Sequence, residues 1–190
     1  MDTSTIVTLV ILAVLIGYAI LIYNNLVALK HAISQAWSNI DVLLKQRHDE
    51  LPKLVETCKQ YMKHERETLE KVMRARSAVH DAQARGDIGG LGEAEGVLRL
   101  GLGQLFAVAE AYPDLKANES FRQLQTRISA LENSIADRRE FYNAAVNSNN
   151  VRIEQFPDLI IARLLNFKSA ELLEFSEAEK ADVNLGALFS

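Results

Sequence analysis

His64 and Glu65 begin the pattern H-E-x-x-H, in which two histidines one helical turn apart hold zinc and the glutamate serves as a base. Thr68 stands where the second ligand is needed, so a metalloprotease site is excluded. A di-iron bundle would require Glu-x-x-His on two helices, and no glutamate lies three residues ahead of any histidine. His31, His48, His64 and His80 recur every 16 or 17 residues. At helical pitch the last three are turned about 160° from one to the next, so they share no stripe and read as solvated or hydrogen-bonded histidines. Gly90, Gly92 and Gly96 give G-x-G-x-x-x-G, one residue off the dinucleotide fingerprint and with no strand before it. No catalytic, cofactor-binding or metal-binding residue is therefore assigned, and no cofactor is expected.

Polar residues set along an otherwise apolar seam are more informative. Arg139, Tyr142, Asn143 and Asn150, with Glu132 and Asn133 a turn or two earlier, form one group; Arg47, His64 and Glu65 are candidate partners from an earlier segment. Buried groups of this kind are costly unless satisfied, and they fix one packing when they are. The reading preferred here is a hydrogen-bond network that sets helix register. Trp37 reads as a core anchor.

The elements that must carry these residues follow from apolar spacing. Between Asp2 and Lys30 there is no charged residue, and Ile6 to Tyr23 reads IVTLVILAVLIGYAILIY. That run is apolar all the way round and long enough to cross a bilayer. Twelve of its eighteen residues are Leu, Ile or Val, which favours insertion by about 4 to 7 kcal/mol. A signal peptide would have a cationic start and a small-x-small cleavage site, and neither is convincing here. Tyr18, Tyr23, Asn24 and Asn25 mark an interfacial border, so residues 1–25 are expected to be a transmembrane anchor. Lys30, Lys45, Arg47 and Lys53 follow the run with none before it, which points the rest of the chain to the cytoplasm, N-terminus out and C-terminus in.

Beyond the anchor, residues 26–167 suffice for one helical domain. The apolar period continues from Leu26 to Leu44, and Pro52 is expected to bend or restart the helix. A second helix runs to about Arg85. Seven of the nine glycines lie between Gly86 and Gly103, so a Gly-rich connection is expected near 86–96, with the next helix starting somewhere from Leu91 to Gly96. Pro113 ends that helix. A long one then opens near Asn118 or Glu119 and stops before Pro157, and a short amphipathic piece spans Asp158 to Phe167. Residues 168–190 read as an acidic, mobile tail. The fold class is all-α: an N-terminal transmembrane helix continuing into an up-and-down antiparallel bundle of three or four long helices. Cys58 is the only cysteine, so no internal disulfide forms, and a net charge of −4 with mixed signs gives no reason to expect nucleic-acid binding.

The stretch AWSNIDVLLKQRHDELPKLVETCKQYMKHERETLEKVMRAR, from Ala36 to Arg76, resembles the first block of the LemA family. The resemblance resumes at EAYPDLKANESFRQLQ, from Glu110, and at ENSIADRREFYNAAVNSNNVRIEQFP, from Glu132 to Pro157. Lys53, Gln60 and Asn149 depart from the family pattern. The resemblance implies a helical bundle behind one N-terminal anchor, single-pass in a bacterial inner membrane, without an established catalytic activity; some relatives are linked to membrane biogenesis. The expected function is a non-enzymatic, homo-oligomeric scaffold that organises or shapes the membrane, with the lipid bilayer and further copies of the chain as partners. The alternative is an adaptor that presents a client to a membrane protease or signalling partner, docking through the acidic tail or the Gly-rich connection.

Overall fold

A computed structural model describes residues 2–174: helices, the turns that connect them, and an irregular segment over 167–174. The helices are α1 (Thr3–Lys59), α2 (Arg66–Arg85), α3 (Ile88–Ala109), α4 (Pro113–Ala117), α5 (Glu119–Glu154) and α6 (Asp158–Leu164). The chain divides into two compact units. One joins residues 2–38 with Glu140–Glu171; the other joins Asn39–Arg139 with residues 172–174.

In the first unit, α1 packs against the last part of α5 and against α6. Ile22, Leu26, Ile153 and Ala162 form its buried cluster, with Ile161 and Phe167 packed beside it. Trp37 is half-buried and meets the Tyr142 ring at 5.7 Å. Trp37 thus pairs with Tyr142 while Ile22 and Leu26 share a cluster with Ile153, so α5 runs antiparallel to α1. The residues before this cluster are different in kind. Val7, Val10, Val14 and Leu21 are 54–64% exposed, and Leu9, Ile11, Leu12 and Ile16 are 51–55% exposed on the other sides of the same helix. An apolar surface this large and this even on every side has no stabilising neighbour in water. The long apolar helix therefore suggests a single membrane anchor.

In the second unit, the end of α1, α2, α3 and the first part of α5 pack as antiparallel helices. Asp41 accepts a hydrogen bond from Gln83, whereas His48 meets Arg76, which sets α2 antiparallel to α1. Arg47 meets Glu132 and Glu50 meets Arg127, which sets α5 antiparallel to α1 as well. Leu44, Leu51, Leu54, Val72, Leu91, Leu98, Leu105, Phe121 and Ile128 fill the core.

Pro52 does not restart the helix, the second of the two outcomes expected from sequence: α1 runs unbroken through it to Lys59. Proline has no N–H for the carbonyl four residues back, which leaves the His48 carbonyl without its helical donor. Arg76 Nε supplies the missing hydrogen bond at 2.8 Å. Leu51, Leu54 and Val55 on either side are fully buried, so packing holds the helix through the proline.

The Gly-rich connection is also shorter than the glycines predict. Gly86 takes a left-handed conformation at φ 66°, closing α2 with hydrogen bonds from its own N–H and that of Asp87 to the Gln83 and Ala82 carbonyls. Asp87 then caps α3, its Oδ1 accepting from Gly90 N–H at 2.9 Å, and the helix starts at Ile88 rather than between Leu91 and Gly96. Two of the glycines have packing reasons. A Cβ on Gly90 would strike the capping carboxylate of Asp87, and one on Gly92 would strike the backbone carbonyl of Glu174. Each interior glycine costs about 1 kcal/mol of helix propensity, and burial of Leu91, Leu98, Leu102 and Leu105 offsets it.

Asn118 caps α5 through Phe121 N–H and donates to the Tyr61 hydroxyl at 3.1 Å, so one side chain starts a helix and ties it to the turn after α1. Cys58 is fully buried, and burial pushes its thiol up to about 12. Alkylation at mildly alkaline pH is therefore expected to leave the native protein unmodified and to go to completion in denaturant. Labelling of the native protein at the rate of a free thiol, followed by mass spectrometry, would show that this core is open.

Candidate functional site

Both units hold concentrations of polar groups. In the second unit the first of these is a buried ion triad built by three helices. Arg47 of α1 donates from Nη1 to Glu95 Oε2 at 2.9 Å and to Glu132 Oε1 at 2.7 Å, and from Nη2 to Glu95 Oε1. The side chains of Arg47 and Glu95 are only 1% and 2% exposed, and that of Glu132 is 19% exposed. Burial opposes the Arg47 charge, but the Glu95 and Glu132 carboxylates outweigh it and raise the guanidinium pKa further. Burial raises the Glu95 carboxyl, with Arg47 pulling the other way. The guanidinium fork engages Glu95 in two parallel bonds, a geometry that fixes orientation as well as charge. Both Glu95 oxygens accept from Arg47, and one Glu132 oxygen does too, so the triad joins α1, α3 and α5.

A second contact set lies between α1 and α2. The His48 and His80 rings stand 4.7 Å apart, and Arg76 Nη2 lies 2.6 Å from His48 Nε2. A guanidinium only donates, so His48 Nε2 must accept and the imidazole is neutral with its proton on Nδ1. Burial, Arg76 and His80 all lower the His48 pKa, which agrees with that state. Helical pitch separates these histidines by angle, yet they come together because they sit on different helices.

Glu50 of α1 is nearly buried. Its Oε1 accepts from Lys53 at 3.3 Å and pairs with Arg127 at 2.9 Å, while Oε2 has no hydrogen-bond partner. Among the described residues, no group of three His, Cys, Asp or Glu side chains is placed to hold a metal ion.

In the first unit the polar seam of α5 holds a piece of backbone. Tyr142 donates to the Glu171 carbonyl at 3.0 Å. Asn150 pairs with Ala170 in both directions, its Nδ2 donating to the carbonyl and its Oδ1 accepting the N–H, each at 2.9 Å. Asn149 donates to the Lys168 carbonyl at 3.3 Å. Residues 168–171 are thus pinned along α5. In the second unit Leu173 is fully buried. Residues 175–190, the rest of the expected acidic tail, lie outside the described residues.

Sequence reasoning named Arg47 and Glu132 as candidate partners, and the structure joins them. It paired neither with Glu95, which lies four residues after Leu91 and three before Leu98 on the buried stripe of α3. That placement was the available signal. Glu65 instead accepts from the Tyr112 hydroxyl at 3.4 Å, His64 is exposed in the turn before α2, and Asn133 is exposed on α5, outside any buried network. Arg139 contributes a favourable charge near Glu95. Tyr142 and Asn150 hold the segment after α6 rather than setting the register between helices.

The profile of the LemA family matches residues 36–186. The chain is 30% identical to protein LemA of Metamycoplasma hominis over 165 residues, 87% of this chain and 74% of that protein. It is 36% identical to magnetosome protein MamQ 2 of Paramagnetospirillum magneticum over 107 residues, 55% of this chain and 39% of that one. Magnetosome protein MamQ of Magnetospirillum gryphiswaldense is 30% identical over 105 residues, 50% of this chain and again 39% of the relative. The chain therefore matches about two fifths of the length of these magnetosome relatives.

Proposed function

We propose that this chain, which belongs to the LemA family, is a non-enzymatic bundle protein, anchored in the membrane by α1, that self-associates into a scaffold organising or shaping the bilayer around its anchors. The bundle stands on the cytoplasmic side in this reading. The similarity to magnetosome proteins supports a membrane-associated role. The buried charges of Arg47 and Glu95 are committed to each other, which suits packing better than turnover.

The observation that carries self-association is the outward face of α3. Val97 and Leu100 are 60% and 66% exposed, and Gly103 and Ala107 continue the same stripe, with open space beside Gly103. Val97 and Leu100 beside the small Gly103 and Ala107 let a second helix approach closely, and their exposure costs free energy while they face water. Mass photometry of the full chain extracted in detergent is expected to show higher-order species that Val97→Glu with Leu100→Glu reduces to monomer, with helicity by circular dichroism unchanged. A wild-type protein that stays monomeric at every concentration overturns the scaffold. Crosslinking in native membranes that yields one abundant foreign partner, and no self-links, selects the adaptor instead.

A further inference from the structure

We infer that the turn and short helix after α5, carrying Phe156, Ile160, Leu164 and Leu165, form a second membrane-contacting element that sits in the headgroup and upper acyl region of the bilayer crossed by α1. The inference rests on the anchored reading of α1 and adds a second contact to it. These four side chains are 81%, 56%, 76% and 49% exposed. Ile160 and Leu164 lie one turn apart on the same side of α6, and Phe156 stands in the turn that leads into it. The opposite side is committed elsewhere: Ala162 and Ile161 pack into the cluster with Ile22, Leu26 and Ile153, and Asp158 is buried against Arg152 Nε at 2.6 Å. Among the described residues the outward stripe therefore has no intramolecular cover.

Its depth follows from what it packs on. Ile22 and Leu26 straddle Asn24 and Asn25, where the uninterrupted apolar run of α1 gives way to polar residues. The Phe167 ring meets Tyr23 edge-on at 6.1 Å. The antiparallel pairing of α5 with α1, Tyr142 at Trp37 and Ile153 near Ile22 and Leu26, carries Phe156 about one turn further toward the apolar run. Phe156, the most exposed phenylalanine among the described residues, thus lies level with the end of the apolar run of α1.

Charge agrees with this placement. Exposed Lys30 and Lys168 line one surface beside Tyr23 and Phe167, exposed Arg163 lies on α6, the Asp158 carboxylate is neutralised by Arg152, and exposed Glu154 is the acid that remains, so cations are in excess. Apolar residues below a rim of cations form the pattern of an interfacial element, whose apolar face sinks about 5–10 Å below the headgroups. A bilayer with anionic lipid is the occupant this surface fits.

The experiment places single cysteines at Phe156, Ile160, Leu164 and, as a deep control, Val14, in the full chain carrying Cys58→Ser. Each is labelled with bimane and reconstituted into phosphatidylcholine–phosphatidylglycerol vesicles. Expected is several-fold stronger quenching of the three α6-region probes by lipids bearing a doxyl group near the carbonyl than by lipids bearing it near the chain end, with protection from aqueous iodide; the Val14 probe shows the reverse depth preference. Leu165 supplies a further position if labelling at one of the three disturbs the circular dichroism. Deep quenching at Val14 with free access of iodide to the other three overturns the inference and leaves the anchor standing. Shielding of those three from both iodide and doxyl lipid also overturns it, because protein then covers the stripe. Iodide access at Val14 removes the anchor itself, and the inference falls with it.

Discussion

Arg47→Met is expected to destabilise the protein by about 3–5 kcal/mol, because it leaves the buried carboxylate of Glu95 without its counter-charge. The lost hydrogen bonds are the smaller part. With Glu95 2% exposed, water cannot take the place of the guanidinium, so the carboxylate must either protonate or force the α3 contact open. In a domain of this size the loss corresponds to a fall in melting temperature of roughly 10 °C, readable by circular dichroism of the full chain in detergent. Glu132→Gln is expected to cost much less, since that side chain reaches solvent and Arg47 keeps Glu95. The double variant Arg47→Met with Glu95→Leu is the decisive control. Replacing both members of a buried pair by apolar groups is often neutral or stabilising, so most of the loss should return. A single variant that melts like wild type would mean that the triad is hydrated and does not hold α1, α3 and α5 together.

The elements that a local pattern specifies were legible in the chain, and those that a distant residue decides were not. The apolar run of α1, the long α5 opening at Asn118 and the short helix after Pro157 all follow from periodicity with a start or stop signal, and all stand where the spacing puts them. Pro52 misleads because the donor that rescues the His48 carbonyl belongs to Arg76, on a helix that no local rule brings there. The glycines of α3 mislead in the opposite sense: their propensity is poor, yet Asp87 caps the helix and four leucines bury it. Arg47 and Glu132 were visible as candidates because charged residues on an apolar seam require partners. Tyr142 and Asn150 were visible for the same reason, but their partners are backbone atoms of residues 170 and 171, and a side-chain pattern carries no information about backbone acceptors. Reading residues 168–171 as part of a mobile tail followed from their composition and missed that pinning.

Val10→Arg together with Val14→Arg is expected to move the protein from the membrane pellet to the carbonate-extractable fraction while leaving the bundle folded. The apolar run favours insertion by about 4–7 kcal/mol, and an arginine near the centre of a span costs about 3 kcal/mol besides removing the favourable contribution of the valine. Two such replacements total roughly 7 kcal/mol, enough to cancel the insertion free energy, whereas Val14→Thr should leave the fractionation unchanged. The same substitutions discriminate against a soluble reading of α1. Val10 and Val14 are 57% and 64% exposed and touch none of the buried cluster, so in a protein that kept this helix in water they would be nearly neutral, and would even improve solubility. A wild-type chain recovered uncleaved from the soluble fraction, with the double variant indistinguishable from it, would show that this surface is covered by protein and not by lipid. Pelleting of the wild type and release of the variant would instead assign the exposure of α1 to the bilayer, and with it the depth at which Tyr23 and Phe167 meet.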